Sequence, residues 1–522
     1  MAQILGIDFG TTNTVVALSD RGSFPIVQHT IKTRIGKVSH DVYPSTIFFS
    51  RQSGKFAFGL EAERLAQQSS ESEGIEIRSI KRVLSNYYEG MEHAVPERFK
   101  VKDLLVGFLG SLRESIMDTG LFKPGEVLQT VITWPAHSNG AQRAVTREAF
   151  REAGFEVIGT LNEPTAAAIE YADRATNGNP RAARSFSETV AVFDFGGGTF
   201  DASLLSICNG IYQVLDTLGL DSLGGDDLDR VLAGLFAERL SIEFDSLEPR
   251  RRMALIGLAR TQKESLGTRP SANLHLHPHD IGLEAPPVFV SADEYIEKIK
   301  PLVRQTVDRL AQLTQRSVEK GLLSSEKALD AIYLVGGSSK LPLVQQLVTE
   351  RFPGIRVVTT HKPFSSIAVG SAISATRKVE IRDIFSRHFG LFRLLDHGRR
   401  EYFHTIFEAG TRLPRKGQPS LEKVTLYSPR HNIGHLRFLE CSELDADGLP
   451  KGKVREWTDI LFPYDPSLDV QAEVTCGEIC AADALDGTQV EEIYRCDADG
   501  VITVEMNRLV DGKKRRFEIS RE

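Results

Sequence analysis

The sequence predicts an α/β protein of two duplicated lobes followed by an all-β, sandwich-like unit, and three observations carry that prediction. From the start of the chain to Thr376, strand-like runs alternate with helix-like ones, the pattern of mixed or parallel sheets covered by helices. Past Asp383 the texture changes to short strands punctuated by the turn signals Ala409-Gly410, Asp447-Gly448, Pro463 and Asp499-Gly500, which suit a β-sandwich-like unit. Within the first part, Ile7-Asp8-Phe9-Gly10-Thr11-Thr12 recurs as Phe193-Asp194-Phe195-Gly196-Gly197-Gly198-Thr199. Each copy lies between two apolar runs and so reads as strand, tight Gly/Thr turn, strand. Two such hairpins in equivalent halves can face each other across a cleft.

At 522 residues the chain exceeds one ordinary core, since domains run ~100–200 residues. Its net charge of −7 is spread along the chain, without the basic footprint of a nucleic-acid binder or a polybasic membrane anchor. Strand-like Ile4-Leu5-Gly6-Ile7-Asp8 stands where an export signal would need basic and then apolar stretches, and no run approaches the ~18 apolar residues of a spanning helix. A cytoplasmic location is therefore expected. Five cysteines do not make a disulfide framework in this length. Cys476-x3-Cys480 with His431 and His435 offers zinc-type donors, but the spacing is not C-x2-C and the histidines stand far off in sequence, so ordinary thiols are expected. His275, His277 and His279 alternate as on one solvated face of a strand.

A phosphate chain needs donors that come close. Glycine lets the backbone approach, and its N–H groups form an anion-binding concavity. Gly10, Gly196, Gly197 and Gly198 provide this, and Thr11, Thr12 and Thr199 add hydroxyls. Asp8 and Asp194 would repel phosphate directly, so they make sense with Mg²⁺ between them and the phosphate oxygens, an ion that keeps several waters and uses one or two carboxylates. Asp201, just past Thr199, faces the same way and is placed to order water or a monovalent cation. A single turn of this kind is ordinary hairpin chemistry; the repeat makes it a nucleotide signal. Neither copy matches G-x4-G-K-[ST] and neither opens a helix, which disfavours P-loop and Rossmann enzymes. A third glycine element, Gly336-Gly337-Ser338-Ser339-Lys340, follows the buried-strand run Ala331 to Val335 and precedes a helix with Pro342 in its first turn. A helix N-terminus beside glycines suits the ribose and α-phosphate edge of a nucleotide.

With three further segments, these motifs resemble the nucleotide domain of the 70-kDa heat-shock chaperones. Thr133-Trp134-Pro135-Ala136 is similar to the family's connecting segment, Leu161-Asn162-Glu163-Pro164-Thr165-Ala166-Ala167-Ala168 to its N-E-P-T-A-A-A helix start, and Ser222-Leu223-Gly224-Gly225-Asp226-Asp227-Leu228-Asp229 to its L-G-G-x-D-x-D element. The resemblance implies an α/β actin-like ATPase fold of two lobes with duplicated ribonuclease-H-like subdomains, ATP or ADP with Mg²⁺ as ligands, and hydrolysis of ATP to ADP and phosphate. It makes Lys81 the lysine that holds the γ-phosphate and attacking water, and Glu163 the glutamate that orients the water or the Mg²⁺ shell, completing a catalytic set of Asp8, Lys81, Glu163, Asp194 and Thr199. Gly225, Lys263, Gly336, Gly337, Ser338 and Lys340 join the hairpin residues in binding nucleotide, while Pro135 and Arg143 match positions that couple nucleotide state to a neighbouring domain. The chain also departs from the pattern. Where the family sandwiches adenine between two arginines, Glu264 and Lys340 stand instead, and neither stacks as a guanidinium does. Lys263 is left to reach the ribose, and Phe364 replaces an acidic residue after Pro363. Weaker or rearranged adenine contacts are expected.

From Phe389 the resemblance thins but persists. Ala409-Gly410-Thr411-Arg412-Leu413-Pro414 is similar to the family's N-T-T-I-P turn, and Asp497-Ala498-Asp499-Gly500-Val501-Ile502-Thr503-Val504 to its D-A-N-G-I-L-x-V hairpin, though Asp-Gly between β-branched runs is a hairpin signal by itself. Residues 1–378 are set as the nucleotide-binding domain, 379–388 as a linker and 389–522 as a β-rich substrate-binding-like domain without a helical lid, the sequence ending at Glu522. The linker keeps the family's aspartate, Asp383, among fewer consecutive apolar residues, so coupling is expected to be reduced or retuned. A β-sandwich of this kind takes an extended peptide through backbone hydrogen bonds and a side-chain pocket, and without a lid exchange is expected to be fast. The expected function is an ATP-dependent chaperone for peptide, unfolded or dedicated protein clients. The implied partners are a J-domain co-chaperone and a nucleotide-exchange factor, with no nucleic acid and no membrane. Two alternatives use the same cleft: a nucleotide-sensing scaffold with negligible turnover, and a sugar or small-molecule kinase, which would need an acidic base facing a second substrate that no motif marks.

Overall fold

A computed structural model describes residues 3–33, 36–68, 73–84, 91–94, 98–136, 138, 140–183, 185–220, 222–360, 362–377, 379–395, 400–415, 417–480, 485, 487–498 and 500–519. Lys378, the last residue of the expected nucleotide domain, and Asp499 of the expected Asp-Gly turn lie outside them. The chain forms two compact units: Met1–Asn86, Glu92–His137 and Thr146–Glu380 make the first, and Tyr87–Met91, Ser138–Val145 and Ile381–Glu522 the second. Among the described residues no helix is long and apolar enough to cross a membrane.

Two mixed sheets organise the first unit, and they repeat one plan. In one, Leu5–Phe9 is the central strand, antiparallel to its hairpin mate Asn13–Leu18 and parallel to Leu128–Trp134, beyond which Phe155–Asn162 runs parallel again. In the other, Ser187–Phe195 is antiparallel to Phe200–Cys208 and parallel to Ala331–Val335, followed by parallel Arg356–Val358. The sequence repeat is thus a repeat of topology. Strands covered on both faces need continuous apolar runs, and Leu5–Phe9 and Ala331–Val335 are buried at every position.

Two helices join these sheets. Glu163–Ala175 starts directly from the strand Phe155–Asn162 of the first sheet and also packs against Ser187–Phe195 and Phe200–Cys208 of the second. Its alanine-rich face meets Ser366–Thr376, which packs in turn on Leu5–Phe9. A methyl group at Gly370 would stand 1.8 Å from the Ala166 carbonyl oxygen. Only glycine permits that approach.

The second unit holds two four-stranded antiparallel sheets, ordered Arg400–Phe407, His388–Leu395, Ile433–Leu444, Pro450–Pro463 and Leu421–Tyr427, Val490–Cys496, Ile502–Arg508, Lys513–Glu518. Val490–Cys496 and Ile502–Arg508 alternate buried and half-buried positions at the period of two that a one-sided sheet demands. Phe389, Leu391, Phe438, Trp457, Tyr494 and Val504 from both sheets share one core. Within it Arg393 pairs with the buried Glu492, which also accepts hydrogen bonds from Tyr427 (2.6 Å) and Tyr494 (2.7 Å). Of the alternating histidines, His275 lies in the strand Leu274–Leu276, whereas His279 lies in a 3-10 turn, Pro278–Ile281, because Pro278 breaks the extended run.

Because the approach at Gly370 is to backbone, which cannot swing aside, Gly370→Ala should lower the stability of the protein by ~1–3 kcal/mol in denaturant titration. An unchanged unfolding midpoint would show that the two helices can separate without loss.

Candidate functional site

Strands, helices and turns from both sheets of the first unit line one cavity of about 360 Å³, within the size range of small-ligand sites. Asp8 and Asp194 sit near the ends of the two central strands, where the chain must turn and side chains become available to a ligand. Gly10, Thr11 and Thr12 line the cavity from one hairpin, and Gly196, Gly197 and Thr199 from the other. Gly198 backs its turn and does not line it. The hairpins approach closely: a methyl at Gly197 would stand 2.0 Å from Thr12 Oγ1. That hydroxyl is buried without a hydrogen-bond partner. A buried hydroxyl left unmade costs ~1–3 kcal/mol, which an acceptor oxygen entering the cavity would recover.

Behind the hairpins, Lys81 from the short helix Ile80–Leu84 donates to Glu163 Oε1 at 2.5 Å, and both side chains are 8% exposed. Asp8, Asp194 and Asp201 are buried alongside. Burial pushes the Asp8 carboxyl up to about 6, against the pull of the Lys81 ammonium and the Thr133 hydroxyl. Burial pushes Glu163 up to about 7, with Lys81 opposing and Asp8 and Asp201 adding to the rise. Asp194 is held well above its ordinary range by burial, then by Glu163, Asp201 and Asp8. Burial works against the Lys81 ammonium, yet Glu163, Asp8 and Asp194 outweigh it and keep the lysine charged. Four buried carboxylates therefore share one ammonium, an imbalance that favours added positive charge. Among the described residues no three His, Cys, Asp or Glu side chains converge to cage a metal. The donors suit Mg²⁺, which binds through one or two carboxylates, water and phosphate oxygens.

The third glycine element is tied to the second hairpin. Ser338 donates its hydroxyl to the Gly196 carbonyl at 2.8 Å, and the Gly336 N–H bonds the Pro363 carbonyl at 3.2 Å. Gly336 has φ +83°, and a methyl there would stand 2.6 Å from Asp194 Oδ1, so glycine is required on both counts. Gly225, Gly336, Gly337, Ser338 and Lys340 all line the cavity, as does Glu264. The Lys340 ammonium stands 5.0 Å from the centre of the Phe364 ring.

Lys263 lines the cavity too, but its ammonium is already engaged by Asp229 (2.7 Å) and the Gly225 carbonyl (2.9 Å). Arg260 completes this lattice, bonding Asp226 at 2.9 Å and Asp229 at 3.0 Å. Sequence reasoning passed over Arg260, Asp226 and Asp229 as individuals. The legible signal was the matching three-residue spacing of two acids, 226 and 229, and two bases, 260 and 263, on facing helices. Of the expected coupling residues, Pro135 lies in the first unit, whereas Arg143 and Asp383 lie in the second. There, burial raises the Asp383 carboxyl against the positive charge of Arg143.

The Hsp70 protein family profile matches residues 90–384. The chain is 30% identical over 388 residues to the chaperone protein HscA homolog of Vibrio campbellii, covering 71% of this chain and 57% of that protein. It is 31% identical over 376 residues to the chaperone protein DnaK of Thermotoga petrophila, covering 71% and 59% respectively. A third relative, heat shock 70 kDa protein 6, chloroplastic, of Arabidopsis thaliana, is 31% identical over 527 residues, covering 93% and 67%. The matches thus span less than two thirds of the length of the first two relatives.

The raised carboxyls fix the sign of a pH effect. Between the ordinary carboxyl values of 3.8 and 4.5 and the folded values of about 6 and 7, the folded site holds more protons than the unfolded chain, so Asp8 and Glu163 make stability fall as pH rises through that window. Asp8→Asn and Glu163→Gln should each flatten this fall in thermal unfolding of the ligand-free protein. Slopes identical to wild type would mean that the carboxyls ionise normally.

Proposed function

Since the chain belongs to the 70-kDa heat-shock protein family, we propose that it is an ATP-dependent chaperone. In this reading the first unit has the actin-like fold and hydrolyses ATP, and nucleotide state governs client binding by the β-rich unit. The observation that carries it is the buried Lys81–Glu163 pair, set among Asp8, Asp194 and Asp201 in a cavity lined by both glycine-threonine hairpins.

Gly10, Thr11 and Thr12 on one side and Gly196, Gly197 and Thr199 on the other cradle the phosphates, with the unpaired Thr12 hydroxyl donating to one oxygen. Lys81, kept charged by its acidic neighbours, holds the γ-phosphate and offsets charge that develops on it. Glu163 orients the attacking water and, with its carboxyl near 7, is suited to accept a proton at neutral pH. Thr199 positions the γ-phosphate, and Asp201 orders water or a monovalent cation beside it. Mg²⁺, held through water by Asp8 and Asp194, supplies when bound the positive charge that the four carboxylates lack. At the far end the base meets Lys340, Glu264 and Phe364 in place of paired guanidiniums, while Lys263 acts by bracing Gly225. Pro135, Arg143 and Asp383 transmit the nucleotide state. The clients are peptides or proteins taken up by the β-rich unit, with a J-domain co-chaperone and an exchange factor setting the cycle.

The altered base end favours one second reading, a nucleotide-sensing scaffold with negligible turnover. Single-turnover assays with labelled ATP separate the two. On the chaperone reading wild type hydrolyses ATP, Lys81→Ala and Thr199→Ala slow it by ~10²–10³-fold, and added peptide stimulates it. Wild type that binds ATP without hydrolysing it would establish the scaffold. Equal hydrolysis by all three proteins would remove Lys81 and Thr199 from the chemistry.

A further inference from the structure

On the surface of the second unit a thiol, an imidazole and a carboxylate stand in line. Cys476 Sγ is 3.9 Å from His435 Nδ1, and His435 Nε2 is 2.6 Å from Asp459 Oδ2. His435 and Asp459 belong to the paired antiparallel strands Ile433–Leu444 and Pro450–Pro463, where they are diagonal neighbours on one face. Arg437, directly opposite Asp459, has its Nε 3.9 Å from the other carboxylate oxygen and its own second partner in Glu456 at 3.6 Å.

The loop that brings the thiol here is held in place. Cys476 opens a 3-10 turn, Cys476–Glu478, closed by the Thr475 N–H donating to the Glu478 carboxylate at 2.6 Å. Asn432, just before the strand that carries His435, grips the same loop three times. Its side-chain oxygen accepts from the Cys480 N–H (2.8 Å), its side-chain amide donates to the Glu478 carbonyl (2.9 Å), and its backbone N–H donates to the Cys480 carbonyl (3.1 Å). Thiol and imidazole are therefore neighbours because the segments bearing them are bonded together. Cys476 and Cys480 are both free and exposed.

We propose that Cys476 is a peroxide-reactive thiol, with His435 as its proton acceptor, Asp459 as the residue that positions the imidazole, and Cys480 as the resolving thiol. With Nε2–H donated to Asp459, Nδ1 carries the lone pair that faces the sulfur. The thiol proton passes to Nδ1, and the thiolate attacks one oxygen of a hydroperoxide. An S–O bond forms as the O–O bond breaks. Sulfur is oxidised by two electrons, and the departing oxyanion takes the imidazolium proton and leaves as water or an alcohol. Cys480 then attacks the sulfenic sulfur: S–S forms, S–O breaks, and the Cys480 proton leaves with the hydroxyl as water. Nothing in this step uses the nucleotide cavity, so the proposal stands apart from the chaperone reading.

The test uses the full, reduced chain, with hydrogen peroxide as oxidant, iodoacetamide as a thiolate probe and dimedone as a sulfenate trap, read by peptide mass spectrometry. Cys476 should label fastest of the five cysteines, and peroxide should yield a Cys476–Cys480 cross-linked peptide. His435→Ala and His435→Gln should both slow labelling about tenfold or more. The glutamine variant keeps a polar side chain but cannot take the proton, which separates proton transfer from shape. Asp459→Asn should displace the pH profile of labelling, and Cys480→Ser should keep the fast rate while dimedone accumulates on Cys476. Labelling of Cys476 no faster than of Cys480, or unchanged by His435→Gln, would overturn the proposal.

Discussion

The ion pair between Lys81 and Glu163 is the constraint around which the first unit is arranged. A buried pair of this kind contributes little net stability, because desolvating two charges costs about what their attraction returns. Three further carboxylates beside it, Asp8, Asp194 and Asp201, make the arrangement unfavourable as a plain core. It is kept in place by the strands that bear it: Asp194 and Asp201 face each other across one hairpin, and Asp8 stands at the equivalent point of the other. Folding thus assembles a concentration of negative charge with one fixed ammonium, in a cavity that small donors surround. The nucleotide reading follows from what would satisfy that imbalance.

The second unit shows the opposite use of buried charge. Glu492 is fully enclosed, yet Arg393, Tyr427 and Tyr494 supply all the donors it needs. Arg508, also without exposure, spends its guanidinium on Asp511 and on the carbonyls of Pro463, Asp465 and Leu468. Satisfied networks of this sort specify how the sheets pack and invite no ligand. The contrast separates a site from a structural polar core more sharply than burial or residue type does.

Local chemistry was readable in the sequence. The duplicated hairpins declared themselves through small residues between apolar runs, and Pro342 at a helix start and the alternating strands of the second unit obey rules that need no tertiary contact. What escaped depends on convergence. Lys81 by itself looks like any surface lysine, and only the family resemblance marked it before the structure buried it against Glu163. Arg260, Asp226 and Asp229 meet across two helices, and Lys340 meets Phe364 from the far side of an intervening helix and strand. His435 and Cys476 stand far apart along the chain, which weighed against pairing them; Asn432 is what brings them together. No periodicity records that kind of proximity.

The helices Glu163–Ala175 and Ser366–Thr376 have a mechanical consequence. They meet backbone to backbone at Gly370 and Ala166, Arg377 at the end of one pairs with Asp173 of the other, and the Tyr333 hydroxyl bridges Glu170 and Ser366. Because backbone meets backbone there, the separation of the two helices is set by Gly370 and not by a side chain that could change rotamer. Glu163 of one helix and Ile367 of the other both line the cavity, so the spacing set at Gly370 is also the spacing across which the cavity opens.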